Sequence, residues 1–306
     1  MDEGIHKVWL GSDVTIGMAA HGHAEITEKA LQSLFLSAEG TFELILVNDC
    51  SPDNTLSLFL ETRKRYPRTK ILSFDRNLEY TGSLNAILSH AAGKWVLFIS
   101  NDILVTPAYL REIFKVAKLS DDFGIVRGVS NMADTGLSMH NVTVEEAMHD
   151  STDLFQFAEK IATQFGGQYL LDSFLIGDAF LVSRSVLDKV GFLDPLFYGY
   201  FADHDFGIRA RIAGYKIVLA RGAFALHVQN ALCIPEGEEK RQRLHRRWMK
   251  IGENWARFKL KYGVPVDETF PSHNLSLVPW DELSSSATFD ISRHYFDKGN
   301  YERYFV

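Results

Sequence analysis

Two carboxylates, Asp203 and Asp205, follow directly on the aromatic run Phe197-Tyr-Gly-Tyr-Phe201 and lead into a helix-like segment carrying Arg209 and Arg211. Aromatic surroundings strip water from a carboxylate and raise its pKa, which makes it a useful proton acceptor. A second polar site, Asn101-Asp102, stands immediately after an apolar run at 95–100. Oxygen donors of this kind suit Mg2+ or Mn2+, which take one or two carboxylates and fill their remaining positions with substrate phosphates. His227, after another apolar run, is a candidate nitrogen ligand. Each has a plainer reading when taken singly. Asn-Asp pairs cap turns, and a His after a strand is more often an ordinary surface or core residue. Asp205 reads as the start of the following helix, near its positive end.

The elements that must position these residues alternate. Short apolar runs at 14–19, 42–48, 71–74 and 95–100 read as strands, and 25–37, 55–65, 81–91 and 107–118 read as helices. This alternation predicts an α/β fold with right-handed crossovers and a mainly parallel sheet. The runs show little period-2 alternation, as expected of strands covered on both faces. Open sheets of this kind bind ligands at the carboxyl ends of their strands. Those ends are polar: Ala20-His21-Gly22-His23, then Asn48-Asp49-Cys50-Ser51-Pro52-Asp53-Asn54-Thr55, then Asp75-Arg76-Asn77, then Ser100-Asn101-Asp102. The second is also good turn and N-cap chemistry on its own. Convergence of four such ends on one sheet edge predicts a ligand cleft. No Gly-x-Gly-x-x-Gly or Walker A sequence is present, so a nucleotide must be held by an acid on its base or ribose and a metal on its diphosphate.

Farther along, 144–149 and 154–165 look helical, with Leu154, Phe155, Ala158, Ile161 and Phe165 in one stripe. The run 174–182 reads as a buried strand, a short helix starts at Ser185, and a strand at 216–219 leads to Phe224-Ala-Leu-His227. Between Glu238 and Tyr262, Leu244, Trp248, Ile251, Trp255 and Phe258 form one apolar helix face, and Arg241, Arg243, Arg246, Arg247, Lys250, Lys259 and Lys261 make the rest basic. That helix reads as docked on its apolar face, against the rest of the chain or a second copy. Its basic face reads as solvated or as attracted to an anionic membrane or a phosphate-bearing acceptor.

Composition bounds the rest. The 306 residues are 46% hydrophobic and 12% aromatic, ample for a packed core, and the net charge of -7 argues against a general nucleic-acid binder. Two cysteines, Cys50 and Cys233, make no disulfide framework and fit a reducing compartment. Neither a signal peptide nor a transmembrane run is expected, so the reading is a cytoplasmic protein that touches the inner face of a membrane at most peripherally.

The motif order resembles family 2 glycosyltransferases of GT-A fold, particularly the rhamnosyltransferase-like branch. The matching pieces are Val14-Thr-Ile-Gly-Met-Ala19, Val47-Asn-Asp-Cys-Ser-Pro-Asp-Asn-Thr55, Asn77-Leu-Glu-Tyr-Thr-Gly82-Ser-Leu-Asn85 and Ser100-Asn-Asp102 in a nucleotide-binding half. Gly177-Asp-Ala-Phe-Leu-Val-Ser-Arg184, Val190-Gly-Phe-Leu-Asp194, Ala202-Asp-His-Asp205 and Arg209-Ala-Arg-Ile-Ala-Gly-Tyr215 match an acceptor half. The resemblance implies a GT-A domain over 1–235, with halves 12–130 and 131–235, and a C-terminal helical extension over 236–306. It implies that Asp49 binds the nucleobase beside the Ala19 backbone, and that Asn77 and Gly82 lie by the ribose and diphosphate. It implies that Asn101 and Asp102 stand in the Asp-x-Asp-type motif, with Asp102 the stronger Mn2+ or Mg2+ ligand, His227 completing the metal site and Asp203 acting as base. Asn101 stands where Asp is common and Ala202 where Glu is common, which bears on metal affinity and acceptor choice. The implied reaction is inverting transfer from a UDP- or dTDP-sugar to a glycan or lipid-linked acceptor in bacterial-type surface polysaccharide synthesis. A homodimer is compatible with it. Two rival readings are a sugar-nucleotide nucleotidyltransferase, for which the basic glycine-rich phosphate loop is missing, and a non-catalytic sugar-nucleotide or glycan-binding module.

Overall fold

A computed structural model describes residues 6–132, 140–144, 151–228, 237–267, 269, 278–286 and 301–306. In chain order its elements are β1 (Val8–Leu10), β2 (Val14–Ala20), α1 (Ala24–Ser37), β3 (Ala38–Gly40), β4 (Glu43–Asn48), α2 (Thr55–Arg65), β5 (Thr69–Ser73), α3 (Glu79–His90), β6 (Trp95–Ser100), β7 (Ile103–Leu104), α4 (Pro107–Ala117) and β8 (Phe123–Ser130). There follow α5 (Ser151–Phe165), β9 (Tyr169–Asp172), β10 (Ala179–Ser183), α6 (Arg184–Val190), α7 (Ala202–Ile212), β11 (Lys216–His227), α8 (Glu238–Tyr262), α9 (Trp280–Ser286) and a 3-10 turn, Glu302–Tyr304.

The central sheet runs β5-β4-β2-β6-β10-β8-β11-β7, with β9 also on β11. Strands β5, β4, β2 and β6 pair in parallel, as do β8 and β11, whereas β10 lies antiparallel to both β6 and β8. The sheet is thus mixed and mostly parallel. Its strands read as unbroken apolar runs because both faces are covered. Along β4, Ile45 and Val47 enter the core under α3 and α7, and Leu44 and Leu46 enter the core on the opposite face. Helix starts follow local chemistry: the Thr106 hydroxyl accepts from the Tyr109 amide at 2.9 Å ahead of Pro107, and Ser183 accepts from the Val186 amide to begin α6.

Several expectations are corrected. The strand expected over 174–182 begins only at Ala179, because 174–178 leaves the sheet to form a loop over its edge. Strands β8 and β9 were not foreseen, and β11 runs unbroken through the stretch expected to separate 216–219 from 224–227. The helix expected at 144–149 lies outside the described residues apart from Val144, and Cys233 lies outside them too. On α8, Ile251, Trp255 and Phe258 are buried against Phe197 and Phe201, as expected. Leu244 and Trp248 are instead 42% and 51% exposed, because the first three turns of the helix extend beyond this core.

Candidate active site

The carboxyl ends of β2, β4, β5 and β6 meet along one edge, and the loops that follow them are stitched together. The Ser51 hydroxyl donates to the Ala20 carbonyl and accepts from the Gly22 amide, and Asp53 accepts from the Ala24 and Thr55 amides, joining the starts of α1 and α2. The turn-and-cap chemistry of Ser51 to Thr55 therefore holds the edge in shape. Asp49, one residue past β4, is 4% exposed, and its Oδ1 accepts from the Leu78 amide at 2.6 Å. Its own amide donates to Ala20, which brings the acid beside the Ala19–Ala20 backbone. Burial pushes its carboxyl up, against the opposing pull of that Leu78 bond. Asn77 is exposed and accepts from the Glu79 amide at 2.7 Å, shaping the turn in which Glu79 takes a left-handed φ of 59°. Gly82 lies one turn into α3, where an added Cβ would come within 2.6 Å of Leu78 Cβ, so packing accounts for its small size. It also lines a cavity of about 300 Å3 together with Arg76, Leu78, Tyr198 and Arg303.

At the end of β6 the Asn101 side-chain amide donates to the Thr27 hydroxyl on α1. Asp102 Oδ2 lies 3.3 Å from His227 Nε2, with side chains 21% and 15% exposed. The residues are far apart in sequence and meet because β7 pairs with the end of β11, setting His227 opposite Ile103, and because the Val228 amide donates to the Asp102 carbonyl. Asn131 then accepts from the His227 amide and donates to its carbonyl. His227 Nδ1 donates to the Met132 carbonyl at 3.0 Å, which leaves Nε2 facing Asp102. Burial works to lower the His227 pKa, but the Asp102 carboxylate outweighs it and the net shift is upward. One carboxylate and one imidazole fit a divalent ion that keeps open positions for diphosphate oxygens. Among the described residues, no cluster of three or more His, Cys, Asp or Glu that could hold a metal ion is present.

Asp203 sits in the first turn of α7, behind Phe201 at a left-handed φ of 68°. Its Oδ2 accepts from the Gly177 amide at 2.8 Å, and the Tyr80 hydroxyl donates to the Gly177 carbonyl at 3.0 Å. No side chain fits at 177, where an added Cβ would fall 2.0 Å from the Tyr80 oxygen. The loop from 174 to 178 thus spans the gap between Asp203 and the Asp102–His227 pair. Asp205 lies in the first turn of α7, as expected. It is fully buried and accepts from Arg209 Nε at 2.8 Å, from the Tyr262 hydroxyl at 2.8 Å and from Lys261. Burial alone would raise its pKa, but Arg209 and Lys261 outweigh it and hold the carboxyl below the usual range. It anchors α7 on α8. Sequence reasoning gave no role to Asp178 or Asn254 and set Lys261 on the basic face of α8, whereas its side chain is largely buried and paired with Asp194 and Asp205, because nothing local signals partners so distant in the chain.

Comparison with known proteins adds a family context. The model described as "Glycosyl transferase family 2" matches residues 15–191. Succinoglycan biosynthesis protein ExoO of Rhizobium meliloti is 27% identical over 211 residues, 68% of this chain and 55% of that protein. N-acetylglucosaminyl-diphospho-decaprenol L-rhamnosyltransferase of Mycobacterium tuberculosis is 25% identical over 65% of this chain and 71% of its own. This chain thus spans about half of the first relative and somewhat more of the second. Mannosyltransferase PcManGT from Pyrobaculum calidifontis, solved with GDP-Man and Mn2+, superposes with a TM-score of 0.51 at 13% identity, covering 89% of this chain and 83% of that one.

Proposed function

The chain belongs to glycosyl transferase family 2, and from that premise and the site geometry we propose that it moves a sugar from a UDP- or dTDP-linked donor to a hydroxyl of a glycan or lipid-linked acceptor, with inversion. The observation that supports this best is the arrangement of Asp203 on one side of the 174–178 loop and the Asp102–His227 pair on the other. Buried Asp49 faces the nucleobase, and the turn at Asn77 lies alongside the ribose and diphosphate. Asp102 and His227 would hold Mn2+ or Mg2+, which when bound would supply positive charge against the departing diphosphate. Asp203 takes the proton of the acceptor hydroxyl as it attacks the anomeric carbon from the opposite side. A single base acting on the acceptor gives one displacement and hence inversion; Asp205, two residues from Asp203, is excluded as a covalent nucleophile by its burial and its three partners.

No helix among the described residues is long and apolar enough to cross a membrane. The basic first turns of α8, which expose Trp248 and Leu244, suit contact with the anionic inner face of a membrane, where a lipid-linked acceptor would be met. The test is a transfer and donor-hydrolysis assay with UDP-, dTDP- and GDP-sugars, in Mn2+ and in EDTA, with the product anomer read by NMR. Metal-dependent turnover of a pyrimidine donor with inversion is expected. Nucleotide binding without turnover of any donor would favour a non-catalytic sugar-nucleotide module.

A further inference from the structure

Between the base and the metal pair lies a carboxylate that the reading above does not use. Asp178 follows Gly177, whose amide holds Asp203, and its own carbonyl accepts from the Ser100 amide at 2.9 Å, two residues before Asp102. Its side chain is 12% exposed, comparable with 17% for Asp203, 15% for His227 and 21% for Asp102. Asp178 also contributes to the field that raises His227. A donor sugar has its anomeric carbon between the leaving diphosphate and the base, so its ring must pass over the residue that joins the two.

What lies beneath Asp178 is unusual. Arg127, in the middle of β8, is 1% exposed, and its Nη2 donates to Oδ1 at 3.0 Å and Oδ2 at 3.2 Å of Asp178. Its Nε and Nη1 are buried without a hydrogen-bond partner, as is the nearby Tyr109 hydroxyl. Burying a guanidinium this incompletely satisfied is costly, and an apolar residue on β8 would pack more cheaply. Arg127 and the Ala179 amide, at 2.8 Å from Oδ1, orient the Asp178 carboxylate, and Oδ2, which carries the longer 3.2 Å bond from Arg127, keeps capacity to accept further hydrogen bonds.

We propose that Asp178 reads the transferred sugar: its carboxylate accepts hydrogen bonds from one or two hydroxyls of a neutral, polyhydroxylated donor ring lying between Asp102–His227 and Asp203. The same charge repels a uronic acid at that position. This inference rests on the glycosyltransferase reading, and deepens it by naming the donor class and the residue that selects it.

The test uses the full chain, the donor that turns over, and its analogues lacking one ring hydroxyl at a time. With wild type, one analogue should lose about 10–100-fold in kcat/KM, the worth of a hydrogen bond to a charged group. D178N should lose a similar factor with the complete donor and show no further loss with that analogue, while its penalties with the other analogues stay as in wild type. Its affinity for the nucleoside diphosphate alone, measured by calorimetry, should be unchanged. Equal penalties for every analogue in D178N and wild type overturn the proposal. If D178N loses diphosphate affinity, D178E, which keeps a charge for Arg127 but moves it by one methylene, decides on the same panel; loss of diphosphate affinity there too makes Asp178 structural and also overturns it. Silence of wild type with every donor overturns the glycosyltransferase reading and this inference with it.

Discussion

Asp203 is bound on one oxygen only, by the Gly177 amide; its other oxygen lies 3.8 Å from His204 Nδ1, beyond hydrogen-bond range. A carboxylate so placed is held in position yet free to accept a proton. Asp203→Asn keeps the shape and removes the basicity, so kcat should fall about 10²–10⁴-fold in steady-state assays while nucleoside-diphosphate affinity changes little. Near-normal turnover would contradict its role as base. At the other end of the cleft, Asp102→Asn should weaken UDP or dTDP binding in Mn2+ by about 10–100-fold and leave binding in EDTA unaltered, as read by calorimetry. Asp49, Asp102 and His227 were visible in the sequence because each stands at or just past the end of a strand, where a parallel sheet exposes its ligand edge. Asp178 was not, because an Asp inside an apolar run reads as an interruption until Arg127, 51 residues away, is seen beneath it.

α8 performs two jobs along its length. Its later turns grip the site. Asn254 is fully buried, accepts from the Tyr198 amide at 2.9 Å and donates to the Tyr198 carbonyl at 3.0 Å, while Lys250 pairs with Glu79 at the strained start of α3. Asn254→Ala strands both backbone groups of the loop that leads to Asp203. It should cost about 1–3 kcal/mol in chemical denaturation and lower kcat more than donor affinity. Its early turns carry exposed Arg243, Arg246, Leu244 and Trp248. In vesicle co-sedimentation, wild type should bind anionic bilayers at low salt and release at high salt, and the triple change R243E, R246E, W248A should abolish binding, since each basic residue near the surface adds about 1 kcal/mol. Absence of salt-sensitive binding, with sedimentation instead showing self-association, would assign that face to a second copy. The sequence showed the stripe on α8 but not where burial stops, since periodicity carries no information on what lies opposite. It also missed β8, whose two glycines and Arg127 break the apolar pattern, and β9, whose first three residues are exposed.

At the scale of the molecule, deep polar contacts join α3 to the loop before α7, and α7 to α8. The Asn85 amide donates to the Leu193 carbonyl and accepts from the Leu193 amide, 108 residues apart. Asp205, Arg209, Lys261 and Asp194 form the second joint, closed by Lys261 to Asp194 at 2.7 Å. Removing one partner of a buried pair leaves a charge uncompensated, so Asp205→Asn should cost about 3–5 kcal/mol in urea denaturation at pH 7. Because the folded-state pKa of Asp205 is depressed, its contribution is complete above the unfolded value of about 3.9 and is lost as pH falls through the folded value below it. The stability gap between wild type and Asp205→Asn should therefore narrow below about pH 4, and a gap that persisted there would reject the ion-pair account. The alternating fold was legible from strand and helix order alone; these joints were not, because they depend on charge pairs whose members are distant in the chain.

The position of Lys261 has a consequence for how the protein is made. As the chain leaves the ribosome, α7 and its buried Asp205 emerge more than fifty residues before the lysine that neutralises it, and Phe197 and Phe201 emerge before the helix that covers them. Strands β2, β4 and β5 can pair early, since their partners lie close in sequence, but the start of α7, which carries Asp203, cannot settle until α8 has arrived. A nascent chain stalled near residue 235 would carry an exposed aromatic surface and an unfinished active centre, a natural point of capture for chaperones.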